Sequence, residues 1–156
     1  MKRISLLALA APLAAIVGLS PVLTASAQTN RLTAAGPDLV PIASRIEHGA
    51  VSVRNTGPAA SGPSLARLTC SRVGGGSCAE EVAGMRAYID PAYPNSAVIQ
   101  IPAIEPGHVH THYLTFWDDL VWNPGTYNLL LQVDAASVVA ETNEGNNFGG
   151  HPYVVP

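Results

Sequence analysis

Apolar and polar positions alternate with a period of two in several short stretches of this chain, and nowhere do they settle into a helical stripe. Val51 and Val53 alternate with Ser52 and Arg54; Ala97, Ile99 and Ile101 share one parity; Tyr127, Leu129, Leu131 and Val133 share another. A two-residue period sends one set of side chains to a core and the other to solvent. Clusters of Gly, Pro and Asn separate these runs, drawn from 13 prolines and 14 glycines in 156 residues, and such clusters mark turns. The pattern predicts strands over residues 38–44, where Pro41 marks an edge strand, and over 49–55 and 65–73. It predicts further strands at 85–89 and 97–101, around the turn at Pro91 to Asn95. Strands over 108–117 and 126–134 follow, then a short one at 138–142 and another near 153–155. The one candidate for a helical turn is residues 80–85, too short to stand alone. About seven to nine strands with frequent turn signals define an all-β, immunoglobulin-like antiparallel β-sandwich.

The first residues read differently. Lys2 and Arg3 precede an apolar run over 4–19, and Ala25-Ser26-Ala27 offers the small residues a signal peptidase needs. Residues 1–27 are therefore expected to be a signal peptide. Pro12 and Gly18 interrupt the run and no charged stop-transfer flank follows, which disfavours a transmembrane helix. Residues 28–36 are expected to be a flexible linker and 37–156 the folded domain, a length that suits one core. The address is the periplasm or the cell exterior, and the mature chain is expected not to be membrane-embedded.

Charge narrows the partners. Beyond residue 27 there are six Arg, no Lys and eleven acidic residues, a formal net charge of −5. Such a chain lacks the basic footprint of a nucleic-acid binder and cannot hold an anionic membrane by charge. The two cysteines, Cys70 and Cys78, flank a short glycine-rich loop. In an exported chain an isolated pair predicts a disulfide, contributing roughly 2–3 kcal/mol on the chain-entropy model.

A series of short motifs then comes in order. They are Pro37-Asp-Leu-Val40, Val51-Ser-Val-Arg-Asn-Thr-Gly57 with Ser61-Gly-Pro63, Ile104-Glu-Pro-Gly107 and Gly125-Thr-Tyr127. Last is Val133-Asp134 leading to Glu141-Thr-Asn-Glu-Gly-Asn-Asn147. Over about residues 37–147 the chain resembles the CARDB domain, a cell-adhesion-related domain found in bacteria. The resemblance implies an immunoglobulin-like fold and a role as an adhesion or binding module on exported proteins. The cysteine pair and the His-rich strand lie outside that family pattern.

Three constellations could carry chemistry. The polar stretch 134–147 is either a structural corner or a cation site. Asp134, Glu141, Glu144 and Asn146 could supply oxygens to Ca²⁺, the candidate cofactor, but no EF-hand spacing is present. Asn, Asp and Gly also make turns without any metal, which favours the corner. His108, His110 and His112 share one strand face, and imidazoles at i and i+2 can share Zn²⁺ or Cu²⁺, with Glu105 as a further ligand. Leu114 and Phe116 have the same parity, so a regular strand would aim His112 at the rim of the core. Third, Trp117 and Trp122 flank Asp118 and Asp119, a set that could stack and bond a sugar; large amphipathic aromatics more commonly cap a core. No nucleophile elbow, phosphate loop or His-Glu-x-x-His helix occurs, so catalysis is not expected.

The expected function is a monomeric, non-catalytic module recognising a protein or glycan at the cell envelope. The alternative is a small metal-binding envelope protein using the His108/His110 strand or the acidic corner.

Overall fold

The structure is a computed structural model that describes residues 35–156. The expected leader over 1–27, and the linker up to residue 34, lie outside the described residues. Two antiparallel sheets face each other. One holds β1 (Leu39–Pro41), β2 (Ala50–Asn55) and β5 (Val109–Tyr113) in the order β1-β2-β5. The other holds β3 (Ser64–Arg72), β4 (Ser96–Ile101), β6 (Gly125–Gln132) and β7 (Phe148–Val155) in the order β4-β3-β6-β7. This three-on-four arrangement is an immunoglobulin-like β-sandwich.

The alternating parities make the core. Val51 and Val53 of β2 face Leu68 of β3, Ile99 of β4, and Leu129 and Leu131 of β6, and all six are buried. Each such side chain contributes roughly 1.5–3 kcal/mol on leaving water. Register follows from parity, since a one-residue slip would turn these side chains to solvent. Leu68 accordingly lies opposite both Ala97 and Leu131.

Two polar devices lock the ends. Asn55 is fully buried and uses all four of its hydrogen-bonding valences. Its Oδ1 accepts from the N–H groups of Asp38 (3.1 Å) and Gly57 (3.0 Å), and its Nδ2 donates to the carbonyls of Ala59 (2.7 Å) and Ile104 (2.8 Å). Tyr127 at the start of β6 donates its hydroxyl to the carbonyl of Asn123, four residues upstream (2.9 Å). That is the tyrosine corner of immunoglobulin-like sandwiches. Cys70 of β3 is joined in a disulfide to Cys78, the first residue of the single-turn α1 (Cys78–Glu81), with Cα atoms 5.3 Å apart. The Glu81 carboxylate accepts from Gly76 N–H and from Arg72 (3.0 Å). Those bonds, Gly76 first and the guanidinium second, hold its pKa below the usual carboxylate value.

Several predicted strands are shorter or absent. Residues 38–44 yield only β1, because a 3-10 turn begins at Ala43 and ends in left-handed Gly49. Residues 85–89 are not a strand: Gly84, at φ +90°, launches a 3-10 turn over Met85–Tyr88. The strand over 108–117 ends at Tyr113, since Trp117–Asp119 form another 3-10 turn. No strand forms at 138–142, where positive φ at Asp134 and Ser137 turns the chain. The strand near 153–155 is instead the eight-residue β7.

Candidate functional site

Sequence order brings the polar corner together at the exit of β6. Asp134 adopts φ +43° and is 2% exposed. Its carboxylate accepts from the N–H groups of Val138 (3.1 Å) and Val139 (3.0 Å). Glu141 accepts from Leu39 N–H of β1 and from Asn147 Nδ2 (3.1 Å). Glu144 accepts from Glu141 N–H (3.0 Å) and from the same Asn147 Nδ2 (3.2 Å). Asn146 Nδ2 donates to Asp38 Oδ1 (3.0 Å). Asn143 accepts from Gly145 N–H (3.1 Å), the turn in which an Asn side chain bonds the backbone two residues on. The corner is thus stitched to β1 through Leu39 and Asp38.

One oxygen from each of Asp134, Glu141 and Glu144 lies within 4.8 Å of the others. Burial pushes the Glu141 carboxyl above its ordinary pKa; the Leu39 and Asn147 bonds oppose this, and the charges of Glu144 and Asp134 reinforce it. Among the described residues no Arg or His forms an ion pair with any of the three. Two amide oxygens, Oδ1 of Asn146 and Oδ1 of Asn147, are buried without a hydrogen-bond partner. Oxygen donors of this kind suit a hard cation such as Ca²⁺, not a soft metal. Sequence reasoning placed Asn147 with Asn146 as a turn residue and missed that its amide bridges two carboxylates. The bridging depends on the fold of the corner, which spacing does not reveal.

The His strand is arranged otherwise. His110 and His112 pair with Val53 and Val51, so they do share the inward face. Yet β5 is the outer strand of its sheet, and His112 is exposed there, not directed into the core rim. His110 is half-buried, and its pKa is lowered first by that burial and then by the neighbouring His112. The exposed His108 ring bonds the Pro106 carbonyl (3.1 Å). Among the described residues Asp134, Glu141 and Glu144 are the one group of three metal-capable side chains that converges; the three His do not, with or without Glu105.

The two Trp rings belong to the core end. Trp117 is buried and packs with Trp122 and Tyr153, while Trp122 meets Tyr127 edge-on at 4.9 Å. Asp118 and Asp119 point to solvent beside them. The rings cap the sandwich and offer no open stacking face with the carboxylates. An enclosed void lined by Met85, Trp117 and Leu129 measures about 10 Å³, far below the roughly 300 Å³ of a small-molecule pocket.

A fourth surface emerges from topology. Asn55 N–H donates to the His108 carbonyl (3.0 Å) and Leu114 N–H to the Gly49 carbonyl (2.8 Å). This phase turns the backbone groups of the even-numbered β5 residues toward β2, and those of Val109, Thr111 and Tyr113 to the outer edge. The Val109 and Tyr113 side chains are exposed, Tyr113 to 68%.

The fold and these motifs define an immunoglobulin-like module of the CARDB type, and comparison with known proteins agrees. The CARDB profile matches residues 42–149, and the chain belongs to that family. CARDB is an adhesion-related family of non-catalytic β-sandwich modules. A solved CARDB domain from Pyrococcus furiosus, described as a complex with di-metal ions, is 18% identical to this chain. The match covers 78% of this chain and 90% of that one, with a TM-score of 0.43. The search of curated proteins gave no match.

Proposed function

We propose that the chain is a non-catalytic binding or adhesion module, exported to the periplasm or cell exterior, that recognises a protein or glycan of the cell envelope. The observation that carries this reading is the open edge of β5. An extended peptide can add to such an edge by backbone hydrogen bonds, with exposed side chains supplying selectivity. Val109 and Tyr113 would do the latter, which favours a protein partner over a glycan. Membership of an adhesion-related family, whose domains are often extracellular, supports the setting. Among the described residues no helix is long and apolar enough to cross a membrane.

The test is capture from envelope extract on the immobilised chain, run beside a Val109→Lys/Tyr113→Lys variant. Charged side chains blunt an edge without disturbing its pairing to β2. A partner retained by the native chain and lost by the variant supports the reading. Equal capture by both rejects the β5 edge. A second reading, a small metal-binding envelope protein, is favoured among the described residues at one place, the convergence of Asp134, Glu141 and Glu144.

A further inference from the structure

We infer that the β5 edge takes an acidic extended peptide, added antiparallel to β5, whose carboxylates two residues apart meet Arg45 and Arg54. The inference rests on the β5-edge reading above and adds the chemistry of the partner. Antiparallel addition continues the pairing of the whole sheet, and it is the more stable ladder per residue. The outward backbone groups of β5 belong to Val109, Thr111 and Tyr113. A peptide residue opposite each of these exchanges both backbone bonds with it. Its side chain then points to the same face as those three, away from the core.

That face carries two guanidinium groups. Arg45, from the 3-10 turn over Ala43–His48, donates Nη1 to Thr111 Oγ1 (3.5 Å), so its charge lies over the middle of the edge strand. Arg54 of β2 is paired in register with Val109. A peptide residue opposite Val109 stands two strand spacings from Arg54, about 9–10 Å, which an Arg and a Glu side chain span together. Both Arg are exposed, and among the described residues neither forms an ion pair. The Arg of β3 differ: Arg72 pairs with Glu81, and Arg67 bonds Gln132 and lies over the Tyr93 ring. Glu47, on the same turn as Arg45, is taken by His48 and His151. Asp38 and Glu141 gather at β1, the opposite edge of the sheet. The nearest acid in sequence, Glu105, is separated from β5 by the turn at Pro106 and Gly107. Screening over about 8 Å at physiological salt limits what the net negative charge can do at this face. Guanidinium binds carboxylate in a fork of two hydrogen bonds, which makes a carboxylate the fitting partner. Tyr113, 68% exposed at the far end, suits an apolar side chain. Along the peptide the pattern is therefore apolar-x-acid-x-acid.

The experiment is NMR titration of the isotope-labelled full chain with the peptide Thr-Val-Thr-Glu-Thr-Glu-Thr and with its twin carrying Gln for both Glu. The expected result is saturable shifts at the Val109, Thr111 and Tyr113 amides. The Gln twin should bind about fivefold to tenfold more weakly, the size of two exposed ion pairs. Arg45→Gln/Arg54→Gln changes two exposed side chains and should bind both peptides alike. Raising NaCl from about 0.1 to 1 M shortens the screening length from about 10 to 3 Å and should erase the preference for Glu. A third peptide, methylated on the backbone nitrogen of its first Glu, keeps both carboxylates but cannot donate to the Thr111 carbonyl, and it should bind weakly. Equal binding of the Glu and Gln peptides at the β5 amides overturns the acidic partner and leaves the edge reading standing. A preference for Glu that survives in the double Arg variant overturns it too. Full binding by the methylated peptide, or no shift at β5 with any peptide, overturns strand addition itself. Shifts of the same amides with protein concentration alone would give the edge to a second copy of the chain and overturn the inference.

Discussion

Replacing Asn55 by Ala tests the frame that holds both surfaces in place. The side chain joins four segments through four hydrogen bonds: the approach to β1, the turn after β2, the loop at Ala59, and the segment before β5. Truncation orphans four backbone groups. The bonds to Gly57 and Ile104 are fully buried, and each orphan there costs about 1.5 kcal/mol. The bonds to Asp38 and Ala59 are partly open, so water recovers most of each and about 0.5 kcal/mol apiece is lost. The total is about 4 kcal/mol, a large share of the roughly 5–15 kcal/mol of a typical domain. Urea unfolding followed by Trp fluorescence reads the loss, with Trp117 and Trp122 in the core as reporters. The midpoint should fall sharply with an unchanged slope. Asn55→Asp keeps the two accepted bonds but sets a carboxylate against two carbonyl oxygens. Its deficit relative to the native chain should therefore shrink at acid pH, where the carboxyl can donate. A loss below about 1 kcal/mol for Asn55→Ala would refute the reasoning, because four orphaned groups cannot cost so little.

Gly49 sits at φ +67°, and a Cβ there would lie 2.6 Å from Trp117 Cβ and Cγ. Gly49→Ala should cost about 2–3 kcal/mol from left-handed strain plus the clash, and an unchanged Tm would contradict this. Tyr127→Phe removes the bond to the Asn123 carbonyl and should cost about 1 kcal/mol by urea unfolding; a neutral result would show that the tyrosine corner contributes nothing here. Glu141 has a pKa raised in the fold, so the folded state holds its proton more tightly than the unfolded chain does. Its contribution to stability is fully present below pH 4.5, the ordinary value, and is lost as pH rises through the folded pKa. In EDTA the stability of the native chain relative to Glu141→Gln should therefore fall as pH rises above 4.5, and a difference that grows with pH would reverse the assignment.

Much of the fold is legible in the chain because a sandwich core is written in parity. Val51 and Val53, the Ala97–Ile101 set and the Tyr127–Val133 set all face inward as alternation requires. Parity failed where three or four residues sufficed to mimic it. Met85, Ala87 and Ile89 share a parity, yet Gly84 in the left-handed region opens a 3-10 turn, with Tyr88 stacked on Phe116 at 3.8 Å. It also failed at β7, where Gly149, Gly150 and Pro152 read as breakers. β7 pairs only with β6 and has no second ladder to satisfy, which is where such residues are tolerated. The acidic corner was visible as composition, but the Asn147 bridge was not, since a bridge is a property of the turned chain. Asn55 stood inside the Val51–Gly57 motif, but its bonding role did not show, because its four partners are contributed by separate segments.

Amide hydrogen exchange by NMR tests the β5 edge most directly, first on the free chain and then with a captured envelope partner. In the free chain the amides of Val109, Thr111 and Tyr113 should exchange quickly while those of His110 and His112 are protected, and the partner should slow the first three. Protection of all five amides in the free chain, or no change at the outer three in the complex, would contradict recognition through this edge.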